Sequence, residues 1–193
     1  MKILHTADWH LGQTFYEYDR REEHFHFLEW LKQQIKQHEI DVLLIAGDVF
    51  DSPNPSAESQ RVYYRFLREV TSENPSLQIV IIAGNHDSAA RLEAPNPLLE
   101  DMNVTVRGVV RRNAEGDIDL QHFIVPLYTE GKVTAYCLAV PYLRQGDYPS
   151  AENYSKGVQQ LYEQLFNKVK EKGIPVVAMG HLQATGSEIS EDD

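Results

Sequence analysis

The chain has 193 residues, 42% of them hydrophobic and 24% charged, which is typical of a globular domain. It contains no apolar run near the ~20 residues that cross a bilayer, and its single cysteine, Cys137, excludes an internal disulfide framework, so we expect a cytoplasmic protein without membrane contact. The net charge of -11 argues against a nucleic-acid ligand, although carboxylates that hold divalent cations also contribute negative charge.

Strands and helices alternate in the first half of the chain. Apolar runs and helical periodicity predict, in order, a strand at 2–7, a helix at 19–38, a strand at 41–46, a helix at 57–71 and a strand at 77–83. Asp19 is expected to cap the first helix, with Glu22 as its capping-box partner. Trp9 is better explained by core packing than by stacking on a base. This alternation predicts a sheet that is at least partly parallel.

The second half is richer in strands. A short helix is predicted at 91–101, followed by short strands between 104 and 140, a helix at 153–172 and a buried strand at 175–179. The expected fold class is therefore α/β, with two mostly buried sheets flanked by helices.

Side chains that bind metals follow each predicted strand of the alternating pattern and the last strand. They are Asp8 and His10, Asp48 and Asp51, Asn85 and His86, and His181. Ligands of α/β sheets bind beyond the carboxyl ends of the strands, so these side chains are expected to meet. Carboxylate, amide and imidazole groups suit manganese, iron or zinc. A pair of such ions can activate water and clamp a phosphate in an in-line displacement.

No single motif is specific, but their series is. Asp-x-His at 8–10, Gly-Asp-x-x-Asp at 47–51, Gly-Asn-His-Asp at 84–87 and Gly-His at 180–181 together resemble the calcineurin-like phosphoesterases. The stretch His-Thr-Ala-Asp-Trp-His-Leu-Gly-Gln at 5–13 is similar to the SbcD-type DNA nuclease subunits within that class. Ser52-Pro53 replaces the Arg-Gly of the related protein phosphatases, which disfavours that activity.

The resemblance implies a ligand set for two divalent ions, with Mn²⁺ the expected metal. Asp8 and His10 would bind the first ion, Asp48 would bridge both ions, and Asn85 and His181 would bind the second.

The resemblance also implies catalytic roles outside the ligand set. His86 would face the scissile phosphate and stabilise or protonate the leaving oxygen. Our hypothesis is that the Asp51 carboxylate orients His86.

The family's last motif, Gly-His-x-His, does not occur in the 193 residues. We therefore expect residues 1–193 to be a phosphoesterase domain truncated before that motif, part of a longer protein, with weak metal binding and little turnover. The resemblance further implies DNA as substrate and an SbcC-like coiled-coil ATPase as partner. Helices near 61–68 and 92–99 would pair two subunits as in the family, or cover the sheet of one subunit.

Two other functions remain open. A phosphodiesterase of the same class, acting on a nucleotide or small phosphodiester, would suit the acidic charge. A non-catalytic scaffold for a partner protein would suit the incomplete ligand set, but it would not explain the presence of both His86 and Asp51.

Overall fold

A computed structural model describes residues 1–182. In chain order its elements are β1 (Ile3–Thr6), β2 (Thr14–Phe15), β3 (Tyr18–Asp19), α1 (Arg21–His38), β4 (Val42–Ala46), α2 (Ala57–Glu73), β5 (Gln78–Ile82), α3 (Ala89–Glu93), α4 (Asn96–Leu99), β6 (Val104–Arg107), β7 (Ile124–Thr129), β8 (Lys132–Ala139), α5 (Tyr154–Val169) and β9 (Val176–Met179). Within this part of the chain, no helix is long and apolar enough to cross a membrane.

Two sheets pack face to face between layers of helices. The first has the order β1-β4-β5-β6 and is parallel throughout, while the second has the order β7-β8-β9, with β8 antiparallel to β7 and parallel to β9. Apolar side chains of β4 and β5 meet those of β7 and β8 between the sheets. Helices α1 and α2 cover the other face of the first sheet, and α5 covers the second. The expected layered α/β fold is confirmed.

Helix α1 buries the predicted face, which consists of His24, Leu28, Leu31 and Ile35. Its start differs from the expected capping box. Arg20 occupies the N-cap position without a side-chain cap, and the Asp19 carboxylate instead accepts a hydrogen bond from the Arg21 amide at 2.9 Å. The expected contribution of Glu22 to the cap is therefore wrong, because the strand pairing of β3 places Asp19 one residue too early.

The helix predicted at 91–101 is divided into α3, α4 and a 3-10 turn over Glu100–Met102. Pro95 lies at the division, and because proline has no amide hydrogen it cannot continue the hydrogen-bond ladder of α3. The apolar residues of this region, Leu92 and Leu99, pack into the core of the first sheet, whereas Leu98 is 75% exposed.

Strand β1 is less buried than its apolar run predicted. Ile3 and His5 are exposed, and Leu4 and Thr6 are half-buried. The reason is position, because β1 is an edge strand that pairs only with β4. Strand β9 is an edge strand of the second sheet and is also mainly half-buried, so its predicted full burial is wrong for the same reason.

Glu93 at the end of α3 ties the chain that follows β6 to that helix. Burial alone would raise the pKa of its carboxyl, but the nearby His122 imidazole at 3.7 Å, together with hydrogen bonds from the Val109 and Gly108 amides and from Arg111, outweighs burial and lowers the pKa from 4.5 to about 2. The side chain of Glu93 is only 6% exposed, so little of this stabilisation is screened by solvent.

We expect Glu93→Gln to lower the free energy of unfolding by about 3 kcal/mol near neutral pH, because one pKa unit corresponds to about 1.4 kcal/mol. The contribution of ionised Glu93 is complete above its unfolded pKa of 4.5 and is lost as the pH falls toward about 2. The difference between wild type and variant in urea unfolding should therefore shrink across that window. A difference that stays constant with pH would contradict this origin.

Candidate metal centre

The loops after β1 and β4 continue to pair beyond the ends of their strands. The amide of Asp8 donates to the Gly47 carbonyl at 3.1 Å, and the amide of His10 donates to the Asp48 carbonyl at 3.0 Å. Leu11 then forms an isolated parallel bridge with Phe50. These bonds place the predicted metal-binding side chains of both loops at the same edge of the first sheet.

The backbone of these loops is unusual. Asp8, His10 and Asp48 have φ values of 56°, 45° and 48°, in the left-handed region that residues other than glycine seldom adopt. Such conformations cost free energy and occur mainly where surrounding structure enforces them, often at functional sites. Here the interstrand hydrogen bonds enforce them, so the side-chain directions are fixed before any ligand binds.

Two glycines allow the loops to approach each other closely. A Cβ atom on Gly84 would overlap the Asp48 carboxylate, and one on Gly47 would overlap the His181 ring. At both positions glycine therefore permits a close approach of backbone to the site that a larger residue would block.

The Asp48 carboxylate lies at the middle of the site and is 3% exposed. Its Oδ1 accepts from the His86 amide at 2.9 Å, while its Oδ2 lies 3.3 Å from Nε2 of His181 and 3.8 Å from Nε2 of His10. Burial would raise the pKa of Asp48, but the hydrogen bonds from His181 and the His86 amide outweigh burial and lower it. A single oxygen of Asp48 thus faces imidazoles from both sides, as a bridging ligand would.

His181 is oriented by the end of β4. Its Nδ1 donates to the Ala46 carbonyl at 2.8 Å, which turns Nε2 toward Oδ1 of Asn85 at 2.9 Å and toward Asp48. In neutral imidazole with Nδ1 protonated, Nε2 is an acceptor, so three acceptors converge. A cation must lie among them, and a metal ion or a proton can fill that role.

A proton on Nε2 of His181 would satisfy these acceptors less fully than a metal ion, but its presence is reflected in the pKa of His181. The hydrogen bond with Asp48 raises the pKa of His181 to about 9, despite partial burial, which lowers it. A bound divalent cation competes with this proton because a ligating imidazole must be neutral. The donor set therefore fits a divalent metal.

Within residues 1–182, two groups of side chains are close enough together to hold a metal ion. Asp8, Asp48 and His181 form one, and His10, Asp51 and His86 form the other, each with ligand atoms within 4.8 Å of one another. Asp8 lies within this distance of His181 as well as of Asp48, and the division of the ligands between two ions stays a prediction. The clusters touch through Asp48 Oδ2 and His10 Nε2, which are 3.8 Å apart.

His86 is exposed and is held by the backbone of the neighbouring loop. Its Nδ1 donates to the main-chain carbonyl of Asp51 at 3.0 Å, which leaves Nε2 directed outward. The Asp51 carboxylate instead lies 3.4 Å from Nδ1 of His10. The hypothesis that this carboxylate orients His86 therefore needs correction, because the sharp turn after β4 presents the carbonyl to His86 and the side chain to His10.

The comparisons with known proteins agree with this geometry. The sequence profile described as "Calcineurin-like phosphoesterase" matches residues 1–193. The chain belongs to the calcineurin-like phosphoesterase family. Membership of this family implies divalent metal ions, in agreement with the two clusters.

Similar calcineurin-like phosphoesterases include two curated bacterial proteins. The SbcD component of the nuclease SbcCD of Rhodobacter capsulatus is 42% identical over 96% of this chain and 49% of its own length, and the protein of the same name in Escherichia coli K12 is 31% identical over 99% and 48%. The chain thus spans about half the length of these relatives. A crystal structure of Pseudomonas putida nuclease MPE aligns with a TM-score of 0.37 and 21% identity, covering 58% of this chain and 50% of that one.

Asp87 is a residue of this phosphoesterase whose role sequence reasoning did not predict. Its carboxylate is 2% exposed and accepts three backbone hydrogen bonds, from Gly84 at 2.9 Å, Phe50 at 3.0 Å and Val49 at 3.2 Å. It therefore joins the loop after β4 to the loop after β5. The sequence signal for this role was the acid directly after Gly-Asn-His. In the structure, backbone amides surround this carboxylate, and it is not among the proposed metal ligands.

We expect Asp87→Asn to lower the free energy of unfolding by about 2–3 kcal/mol, because the new amide group would turn N–H donors toward a backbone donor and leave it unsatisfied. Urea unfolding in the presence of a chelator would measure this without any contribution from bound metal. A variant with wild-type stability would contradict a structural role for this carboxylate.

Proposed function

We propose that this chain is the catalytic portion of a manganese-dependent DNA nuclease subunit that hydrolyses phosphodiester bonds. The observation that carries the proposal is the convergence of acceptor groups on Asp48 Oδ2 and His181 Nε2 at the edge of a parallel sheet. The names of the two relatives, which are nuclease subunits, support the choice of DNA over other phosphodiesters.

The residues that would hold the ions are those expected from the sequence. Asp8, His10 and Asp48 would serve one ion, and Asp48, Asn85 and His181 the other. Two divalent cations at such a site supply an activated water and neutralise charge on the phosphate oxygens. Manganese suits the mixture of carboxylate, amide and imidazole donors, and the thiol of Cys137 is fully buried between the sheets.

His86 would act on the leaving group. With Nδ1 donating to the Asp51 carbonyl, a neutral ring would carry no proton on Nε2. His86 would therefore act as the imidazolium, giving its Nε2 proton to the leaving oxygen of the cut strand and returning to the neutral ring. The backbone of His86 is also fixed, because its amide donates to Asp48. Thus the group that would bridge the ions also positions the proposed acid.

The whole protein would extend beyond this chain. We propose that a continuation carrying the family's Gly-His-x-His motif supplies the remaining imidazole ligands, and that an SbcC-like coiled-coil ATPase is the partner for processing DNA ends. Pairing of two subunits through the region of the exposed Leu98 belongs to the same proposal.

The test is manganese-dependent cleavage of end-labelled linear duplex DNA by this chain and by an extended chain, defined as this chain continued through the Gly-His-x-His motif. The extended chain is expected to cut DNA, and this chain to cut little, because each of its proposed metal sites lacks an imidazole. Chelation should abolish cutting.

The other candidate functions give different results in the same assay, run in parallel on bis-para-nitrophenyl phosphate. Hydrolysis of the small ester without cleavage of DNA would overturn the nuclease assignment and leave a small-phosphodiester enzyme. Hydrolysis of neither by the extended chain would overturn catalysis and favour a scaffold.

A further inference from the structure

The segment that follows β8 borders the metal centre on the side of His181. The amide of Tyr142 donates to the Ala83 carbonyl at the end of β5 with a distance of 2.8 Å. The Tyr142 ring then lies edge-on to the His181 ring, with centroids 6.3 Å apart and an interplanar angle of 73°. Tyr142 is therefore fixed between a strand that supports the site and a proposed metal ligand.

Arg144 extends this border outward. Its guanidinium carbon lies 5.5 Å from the centroid of the Tyr142 ring, within the range of a cation–π contact, and the side chain is exposed. Its backbone is held by a tight turn in which the Arg144 amide donates to the Asp147 carboxylate at 2.8 Å and the Asp147 amide donates back at 3.0 Å. The Tyr142 ring and the turn from Arg144 to Asp147 thus set the position of the guanidinium.

The charge of Arg144 is not compensated by an acid in the part of the chain that is described. Within residues 1–182, no carboxylate oxygen lies within 4.0 Å of its guanidinium nitrogens, whereas Arg20, Arg21, Arg61 and Arg111 each pair with an acid. Three other arginines without an acid, Arg91, Arg107 and Arg112, donate to amide or carbonyl oxygens. The Arg144 guanidinium makes no hydrogen bond within residues 1–182, and its fork of N–H donors matches the geometry of a phosphate.

We propose that Arg144 binds a phosphodiester group of the substrate that flanks the group being cut. The proposal rests on the proposed function, since it requires a substrate with more than one phosphate. A metal centre that engages the scissile phosphate leaves the neighbouring phosphate of the same strand at the rim, where Tyr142 presents Arg144. Phosphate contacts of this kind fix the register of a strand without reading its sequence.

Binding to a fluorescein-labelled DNA duplex, measured by anisotropy, tests the proposal. The assay uses the extended chain with the His86→Ala substitution in the presence of manganese. The substitution suppresses cutting of the DNA, and the manganese keeps the proposed metal sites filled. In that background we expect Arg144→Ala to weaken binding about tenfold at low salt and to reduce the slope of log affinity against log salt by about 1. Arg144→Lys should retain the slope but lose part of the affinity, because lysine is a point charge without the guanidinium fork.

Lys36→Ala is the charge-matched control. It removes one exposed positive charge, with no acid within 4.0 Å in residues 1–182, from the last turn of α1, which precedes β4 and so lies at the opposite edge of the sheet from the metal centre. We expect its affinity and salt slope to equal those of the parent. If Arg144→Ala behaves like Lys36→Ala, Arg144 does not contact phosphate and the inference is overturned.

Hydrolysis of bis-para-nitrophenyl phosphate, which has a single phosphate, separates this inference from the proposed function. With His86 intact, Arg144→Ala should hydrolyse this ester at the parental rate and bind manganese as the parent does. A loss of manganese binding would assign Arg144 to the structure of the site and overturn the inference alone. A parent that neither hydrolyses the ester nor binds DNA would overturn both proposals.

Discussion

Asp48→Asn in the extended chain is expected to reduce phosphodiester cleavage by at least ~10³-fold, since removal of a charge that two cations would share costs several kcal/mol in the transition state. The substitution keeps the shape of the side chain and its contact with the His86 amide, but it replaces an anionic oxygen with an amide at the point where His10 and His181 converge. Manganese titration by calorimetry should show loss of binding in parallel with the loss of cleavage.

The control for Asp48→Asn is Asp101→Asn, which removes one negative charge from an exposed 3-10 turn outside the metal centre. It should leave cleavage and manganese affinity unchanged. If Asp48→Asn still binds two manganese ions with parental affinity, then Asp48 does not bridge them.

Unlike Asp48→Asn, which should lose both properties, His86→Ala is expected to retain manganese binding while DNA cleavage falls by about 10²- to 10⁴-fold. The ring of His86 lies outside the convergence of acceptors at His181, and its Nδ1 is already committed to the Asp51 carbonyl. A side chain that donates a proton to the leaving oxygen should affect turnover without affecting metal affinity.

The choice of substrate sharpens the test of His86. The leaving alkoxide of DNA needs a proton, whereas para-nitrophenolate departs without one. His86→Ala should therefore impair DNA cleavage much more than hydrolysis of bis-para-nitrophenyl phosphate. Equal impairment of both substrates, or a loss of manganese binding, would contradict the role of proton donor and assign His86 to binding.

Much of the fold could be predicted because its signals are local. The period of α1 gave the buried face from His24 to Ile35, and the order of apolar strands gave the parallel sheet. The meeting of the metal-binding side chains followed from strand ends alone. Trp9 also packs as predicted, 4% exposed and edge-on to Phe66 at 5.3 Å.

Other features depend on neighbours that are distant in the sequence. The exposure of β1 follows from its place at a sheet edge, which an apolar run does not encode. The direction of the Asp51 carboxylate depends on a turn that presents the carbonyl to His86. Asp87 accepts amide hydrogens from residues 37 and 38 positions away, so its role emerges only after the loops have met.

The left-handed backbone conformations of Asp8, His10 and Asp48 also depend on neighbours that are distant in the sequence. A sequence indicates such positions only by tendency, because aspartate, asparagine and histidine are enriched there yet adopt this conformation in few of their occurrences. Backbone hydrogen bonds between the loops after β1 and β4 enforce these conformations. The pairing of the two strands therefore offsets the free energy that the left-handed backbone costs. The precision of the site is thus a property of the sheet edge rather than of each motif.

The most direct test of a centre that binds two metals is the anomalous diffraction of manganese in crystals of the extended chain. We expect two peaks ~3.5–4 Å apart on either side of Oδ2 of Asp48, with His10 and His181 bound to different ions. One peak, or two peaks that do not share Asp48, would contradict the account.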